Sequence, residues 1–448
     1  MNDSDQLQAL NAKPLPARTF GYLKLMGPGF MQSAMTLGGG TAFAAIFAGA
    51  AFGYDLLWVA PVSMALGIIV LSAVAYQTLS TDQDPFTAMR QHAGGFFAWG
   101  WAISGIVSSI IWQFAQYALA ASMMVLLAKD LGFEDTPRWA MGLLAMVWCI
   151  GVAMLYGRAP KFVRLYENIL KGMVWLIVLC LAWVVWRTGI PEPAGLLKGL
   201  IPNIPGEFKG VSGITVVVSG IAAAVGANMV FVYPYTLRRR HWNKDHRRLA
   251  RLDLGFGMFV PYVLAASLLL IASASIFHFQ APELFEGKKI TPWACAQVLA
   301  APDRLGPTVG LWVFSLGVIA MALSSITMQM LCSGFALSVM CGKPTEGTTY
   351  RVGMLLPAIG VLGAVFWGSI ALWVAVPTNI ICGLMLPIAY IGFIRLQRSR
   401  KYLGDETPSG SRATLWVAGM WLSTAVLVGF MIWFLVTTMP GWLDAIGG

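Results

Sequence analysis

Eleven long apolar runs, at roughly residues 25–53, 56–79, 96–127, 138–157, 162–187, 211–237, 249–277, 306–340, 351–373, 374–396 and 413–437, restrict what this chain can fold into. A helix needs about 20 residues to cross the hydrocarbon core of a bilayer. Backbone N–H and C=O groups there must be satisfied within the segment, so each run reads as a helix. Only 11% of the 448 residues are charged, and the mean hydropathy is +0.71. A soluble domain carries about 25% charged residues, so the chain reads as an all-α polytopic membrane protein. The ninth and tenth runs are separated only by Pro377-Thr-Asn379.

The net charge of +10 sits in short loops between the runs, where it orients a membrane protein rather than binding nucleic acid. One set of loops holds Arg158, Lys161 and Arg164, then Arg238 to Arg251, then Arg395, Arg398, Arg400 and Lys401. The alternate loops are poorer, with Lys129 and Arg138, Lys198 and Lys209, and Lys288, Lys289 and Arg304. This asymmetry predicts a cytoplasmic N-terminus and an extracytoplasmic C-terminus. Residues 1–24 are polar and carry no secretory signal pattern. With no targeting segment, the plasma (inner) membrane is the expected location. The six cysteines have no Cys-x-x-Cys spacing, so neither a disulfide framework nor a zinc site is expected.

Two of the runs are interrupted. Gly38, Gly39 and Gly40 fall in the middle of the first, and each glycine weakens a helix by about 1 kcal/mol relative to alanine. The sixth is interrupted by Val225-Gly-Ala-Asn-Met229. Broken helices in matching positions of two five-helix halves point to an inverted-repeat secondary transporter with its site at the midplane. The predicted organisation is a polar segment 1–24, repeats 25–187 and 211–396 joined by an outer loop 188–210, a linker 397–412, and an eleventh helix within 413–448.

Ordered fragments along the chain resemble the natural resistance-associated macrophage protein (Nramp) family of divalent metal transporters. They are Gly27-Pro-Gly-Phe30, Ala48 to Trp58, Leu249-Ala-Arg-Leu-Asp253, Gly317 to Thr327 around the paired serines, and Leu386-Pro387. The resemblance implies a leucine-transporter-like fold of two inverted five-helix repeats. The departures lie where that family binds metal. Its Asp-Pro-Gly-Asn is matched here by Gly38-Gly39-Gly40-Thr41, its Met-Pro-His by Gly226-Ala227-Asn228, and the acidic pair of its third helix by Gln113 and Gln116.

Divalent transition metals want anionic oxygen, imidazole or thiolate ligands. No Asp, Glu or His lies well inside any apolar run; the four histidines read as loop residues, and Glu167 and Asp253 sit near helix ends. A tight metal site and a proton-titrating core group are therefore not expected, and no cofactor is implied. The candidate substrate-binding residues are Gly38, Gly39, Gly40, Thr41, Gly226, Ala227, Asn228, Met229, Gln113, Gln116, Ser324, Ser325 and Asn379. Loss of the family side chains predicts a wider cavity lined by backbone, amides and hydroxyls. The expected substrate is a monovalent or hydrated cation. Alternatives are a small organic solute, carried uncoupled or with Na⁺, and a non-transporting sensor or partner subunit. No nucleophile–base arrangement or phosphate loop suggests an enzyme. Tyr233-Pro-Tyr235 reads as an interfacial anchor, and Asp405 to Ser411 as an ordinary linker.

Overall fold

A computed structural model describes residues 3–12, 14–156, 159–285, 287, 290, 292–300, 306–366 and 375–437. Within them the eleven apolar runs become eleven helical segments. The first is a pair, Pro28–Thr36 and Gly39–Phe52, bent by 56°. Then follow Val59–Ser80, Gly95–Asp130, Arg138–Ala153, Pro160–Thr188, the pair Gly213–Ala224 and Ala227–Arg239, Lys244–Gln280, Pro307–Met340, Thr348–Phe366, Ala375–Gln397 and Gly410–Thr437. They are called the first to eleventh spans below. Pro377-Thr-Asn379 does not separate the ninth and tenth: it lies within the helix Ala375–Leu384, and residues 367–374 between the two spans lie outside those described. Among the described residues ten of the eleven are long and apolar enough to cross a membrane, the bent first pair counted as one; the fourth, with 16 residues, is shorter.

The two interruptions are narrower than the sequence suggests. Only Leu37 and Gly38 leave the first helix; Gly39 and Gly40 already belong to its second half. In the sixth span Val225 and Gly226 are extended, whereas Asn228 and Met229 are helical. Gly38 (φ −125°, ψ −170°) and Gly226 (φ −97°, ψ 163°) hold backbone angles open to any residue. At both positions an added side chain meets close packing, not backbone strain, and a neighbouring side chain must give way. A Cβ on Gly38 would lie 2.8 Å from Ser325 Oγ and overlap Gln116 Nε2, and one on Gly226 would lie 2.6 Å from Asn228 Oδ1.

The first half-helix is anchored at its start by the seventh span. Gly27 and Gly29 donate their N–H groups to Asp253 Oδ2 at 3.4 and 2.7 Å, filling the role of an N-terminal cap. On the preceding helix, Leu15–Leu25, the carbonyls of Leu25 and Met26 accept from Arg240 and Lys171, so cations sit at a helix C-terminus as the macrodipole favours. Glu167 and Asp253 thus lie near helix ends as expected, but both are fully buried. The histidines are not all loop residues: His92 and His278 lie in helical turns, and His246 is buried.

One further expectation needs correction, and two gain detail. Tyr233 and Tyr235 are buried, with Tyr235 stacked between Phe231 and Phe335, so they are core residues and not interfacial anchors. Arg238 and Arg239 hold structure as well as charge: Arg238 donates to the Asp82 and Gln83 carbonyls, and Arg239 pairs with Glu346 and lies over the Phe335 ring. The linker is tied down. Arg247 bonds Glu406 at 2.8 Å and holds its carboxyl below the usual carboxylate range, while Tyr76 donates to the Glu406 carbonyl.

Candidate functional site

The two breaks meet. Thr36, at the end of the first half-helix, places its hydroxyl 2.9 and 2.8 Å from the carbonyl oxygens of Ala223 and Ala224, which end the first half of the sixth span. Thr41 donates back across its own break to the Thr36 carbonyl at 2.6 Å. Two helix C-termini, with the partial negative charge of their terminal carbonyls, are thereby brought together.

The opposing N-terminal ends are occupied by protein groups. The Gly39 N–H donates to Gln116 Oε1 at 2.8 Å, and Gln116 Nε2 donates to Ser325 Oγ at 3.1 Å. Ser325 donates its hydroxyl to the Met35 carbonyl at 2.9 Å, and Ser324 donates to the Ala34 carbonyl at 3.1 Å. In the sixth span the cap is local: Asn228 Oδ1 accepts from the Met229 N–H at 2.9 Å, and the Gly226 N–H points at Met229 Sδ at 3.4 Å. The Asn228 carbonyl takes the Cys332 thiol at 3.3 Å. Ala227 is fully buried beside it.

Asn379 links the halves from the tenth span. Its Nδ2 donates to Ser219 Oγ at 2.7 Å and to the Gly40 carbonyl at 3.2 Å, while its Oδ1 accepts no protein hydrogen bond. Gln113 does not join this set. Its Nε2 bonds the Ile326 carbonyl at 3.1 Å, and its Cβ packs against Gly360 of the ninth span. Sequence reasoning also missed Trp112, Ser219 and Thr36. For Trp112 a signal was present: the residue next to Gln113, one helical turn before Gln116, had to face the same break.

The positions that side chains at Gly38 and Gly40 would take are filled, and a small cavity of about 30 Å³ lies beside Thr41, Val59, Gly220 and Tyr262. Gln116 and Ser325 occupy the position of a Gly38 side chain, and the Trp112 ring and Asn379 occupy that of Gly40. Two open cavities approach from opposite faces. One of about 860 Å³ enters from the arginine-rich face between Tyr156, Tyr235, Arg238, Arg239 and Glu346. The other, about 380 Å³, enters between Tyr54, Asp55, Glu192, Glu207 and His278. Neither is lined by a residue of either break. Among the described residues no group of three or more His, Cys, Asp or Glu side chains is placed to hold a metal ion.

This packing makes a definite prediction about single substitutions. Gly38→Asp alone should not create a Mn²⁺ site, because Gln116 Nε2 and Ser325 Oγ already fill the position. The double variant Gly38→Asp/Gln116→Ala should bind Mn²⁺ measurably tighter than either single variant by calorimetry. Equal, undetectable binding by all three would mean that position 38 does not face the site.

A family model for natural resistance-associated macrophage protein-like (Nramp) sequences matches residues 29–437. The divalent metal cation transporter MntH of Mycobacterium leprae is 23% identical over 424 residues, covering 92% of each chain. The metal transporter Nramp6.2 of Populus trichocarpa is also 23% identical, over 94% of this chain and 76% of its own. Among solved structures, the Eremococcus coleocola manganese transporter superposes with a TM-score of 0.75 at 16% identity, covering 97% of this chain and 92% of that one. The transporter MhsT, solved with L-phenylalanine, gives 0.60 at 15% identity, over 90% and 97%.

Proposed function

This chain belongs to the Nramp family, and we propose that it is a secondary transporter carrying a metal cation through a site of neutral oxygens, which suits a monovalent or partly hydrated divalent ion. The observation that carries this reading is the junction of the two breaks. Carbonyls of Thr36, Ala223 and Ala224 converge there, while the N–H ends that would attract an anion are already capped by Gln116, Asn228 and Met229. Carbonyl, amide and hydroxyl oxygens hold hard cations. They lack the charge and softness that select transition metals. We take the arginine-rich face as cytoplasmic, in a plasma membrane, and assign no enzymatic step.

A second reading has one observation in its favour. The Trp112 indole reaches the first turn after the break, which would give a small organic solute an aromatic wall. Uptake into proteoliposomes separates the two. Saturable, protein-dependent flux of Mg²⁺ or of a monovalent cation is expected, with Mn²⁺ bound no more tightly than Mg²⁺. Thr36→Val, which keeps the shape but removes the hydroxyl, should cut that flux at least about tenfold, the effect of about 1.4 kcal/mol on a barrier. A Mn²⁺ affinity far above that for Mg²⁺ would sink the neutral-oxygen reading. Absence of all ion flux from folded protein would move the assignment to organic solutes.

A further inference from the structure

We propose that the N-terminal helix Asp3–Asn11 is a latch that holds the arginine-rich side of the transporter shut. The helix packs on Leu15–Leu25, which leads directly into the first half-helix, and on the turn Lys244–His246 that opens the seventh span. Its first residue does the fastening. The Asp3 carboxylate accepts from Arg164 of the fifth span at 2.9 Å, from Arg240 at the end of the sixth at 2.8 Å, and from Trp242 Nε1 at 3.0 Å. The side chains of Asp3 and Arg240 are only 6% and 7% exposed, and Leu7 on the same helix as Asp3 is buried.

Arg240 carries the fastening inward. Its second nitrogen bonds Glu167 Oε2 at 3.0 Å, and it also donates to the Leu25 carbonyl at 2.9 Å. Glu167 lies against Gly27, the residue before the first half-helix, where even a Cβ would overlap its Oε2. One carboxylate at the start of the chain therefore closes a circuit through the fifth and sixth spans onto the base of the first half-helix. Alternating access in such folds is largely the rocking of one helical group against another. Opening toward the large cavity at Tyr235 and Arg239 separates parts that Asp3 joins. With Asp3 removed, Arg164 and Arg240 keep their charge and lose a common partner, which favours separation.

The proposal rests on the transporter reading, but its test needs no substrate. Cys332 is buried, 3.3 Å from the Asn228 carbonyl, and it and Phe231 both pack against Gly105 of the third span. In a protein whose other five cysteines are replaced by alanine, the rate at which a maleimide labels Cys332 reports opening. Asp3→Asn and a deletion of residues 3–12 should each raise that rate at least about tenfold, as loss of one partner from a buried charge pair shifts a two-state balance by that much or more. A parallel protein keeping only Cys149, which is buried against the Leu323 carbonyl, supplies the control. A rise at Cys332 alone supports the latch. No rise in either variant overturns it, and so does an equal rise at Cys149, which would mean general loosening.

Discussion

Gly40→Ala is expected to abolish transport and lower the melting temperature, although alanine is the better helix former. Helix propensity favours alanine by about 1 kcal/mol in a helix interior. Against it, a Cβ at this position overlaps Cζ3 and Cη2 of Trp112 and also Asn379 Oδ1. Overpacking of a close-packed interior costs about 1–3 kcal/mol, and here two neighbours on different spans must both move. The overlap should win. Gly172→Ala in the fifth span makes the contrast, since nothing lies within 4 Å of its Cβ and only the propensity gain remains. Thermal melting in detergent should place Gly40→Ala below the parent and Gly172→Ala at or above it. In a Trp112→Ala background, where that overlap is gone, Gly40→Ala should cost less than it does in the parent. A Gly40→Ala protein that melts and transports like the parent would show that the Trp112 contact does not constrain the break.

Arg240→Ala should be the most destabilising single change on the arginine-rich face. The Arg240 side chain is buried between Asp3 and Glu167, which are themselves buried, and it is the cation bonded to Glu167. Removing one partner of a buried pair leaves the other charge uncompensated, at a cost of about 3–5 kcal/mol. Here Glu167 loses its ion-pair partner while Asp3 keeps Arg164 and Trp242, and the Leu25 carbonyl loses its donor as well. Arg240→Lys keeps the charge but cannot fork between Asp3 and Glu167, so it should fall between parent and alanine variant. Adding Glu167→Gln to Arg240→Ala removes one stranded charge and should raise the melting temperature again. Melting curves of the four proteins check the order. If the second substitution lowers stability further, the destabilisation arises from lost packing of the arginine stem and not from stranded charge.

These expectations separate what can be read along the chain from what cannot. The eleven spans were legible because hydropathy over about 20 residues is a local property and a bilayer allows little else but helices. Both breaks were legible for the same reason: three glycines in one apolar run and Gly226-Ala227-Asn228 in another weaken helices wherever those helices are placed. Fragment order then pointed to the family, which the match over residues 29–437 bears out.

What the breaks contain was not legible. Gly39 meets Gln116 from 77 residues away, and Gly40 meets Asn379 from 339 residues away. Glycines in sequence look like empty space, and only the packed structure reveals that Gln116, Trp112 and Asn379 fill it. The same holds for Asp3, Glu167, Asp253 and Arg240, which look like ordinary residues of helix ends and loops until folding buries them together. Apolar pattern and glycine placement alone determined a membrane transporter scaffold with two broken helices. Tertiary structure decided which groups occupy the breaks and which charges hold one face closed, because burial and contact depend on side chains that only the fold brings within reach.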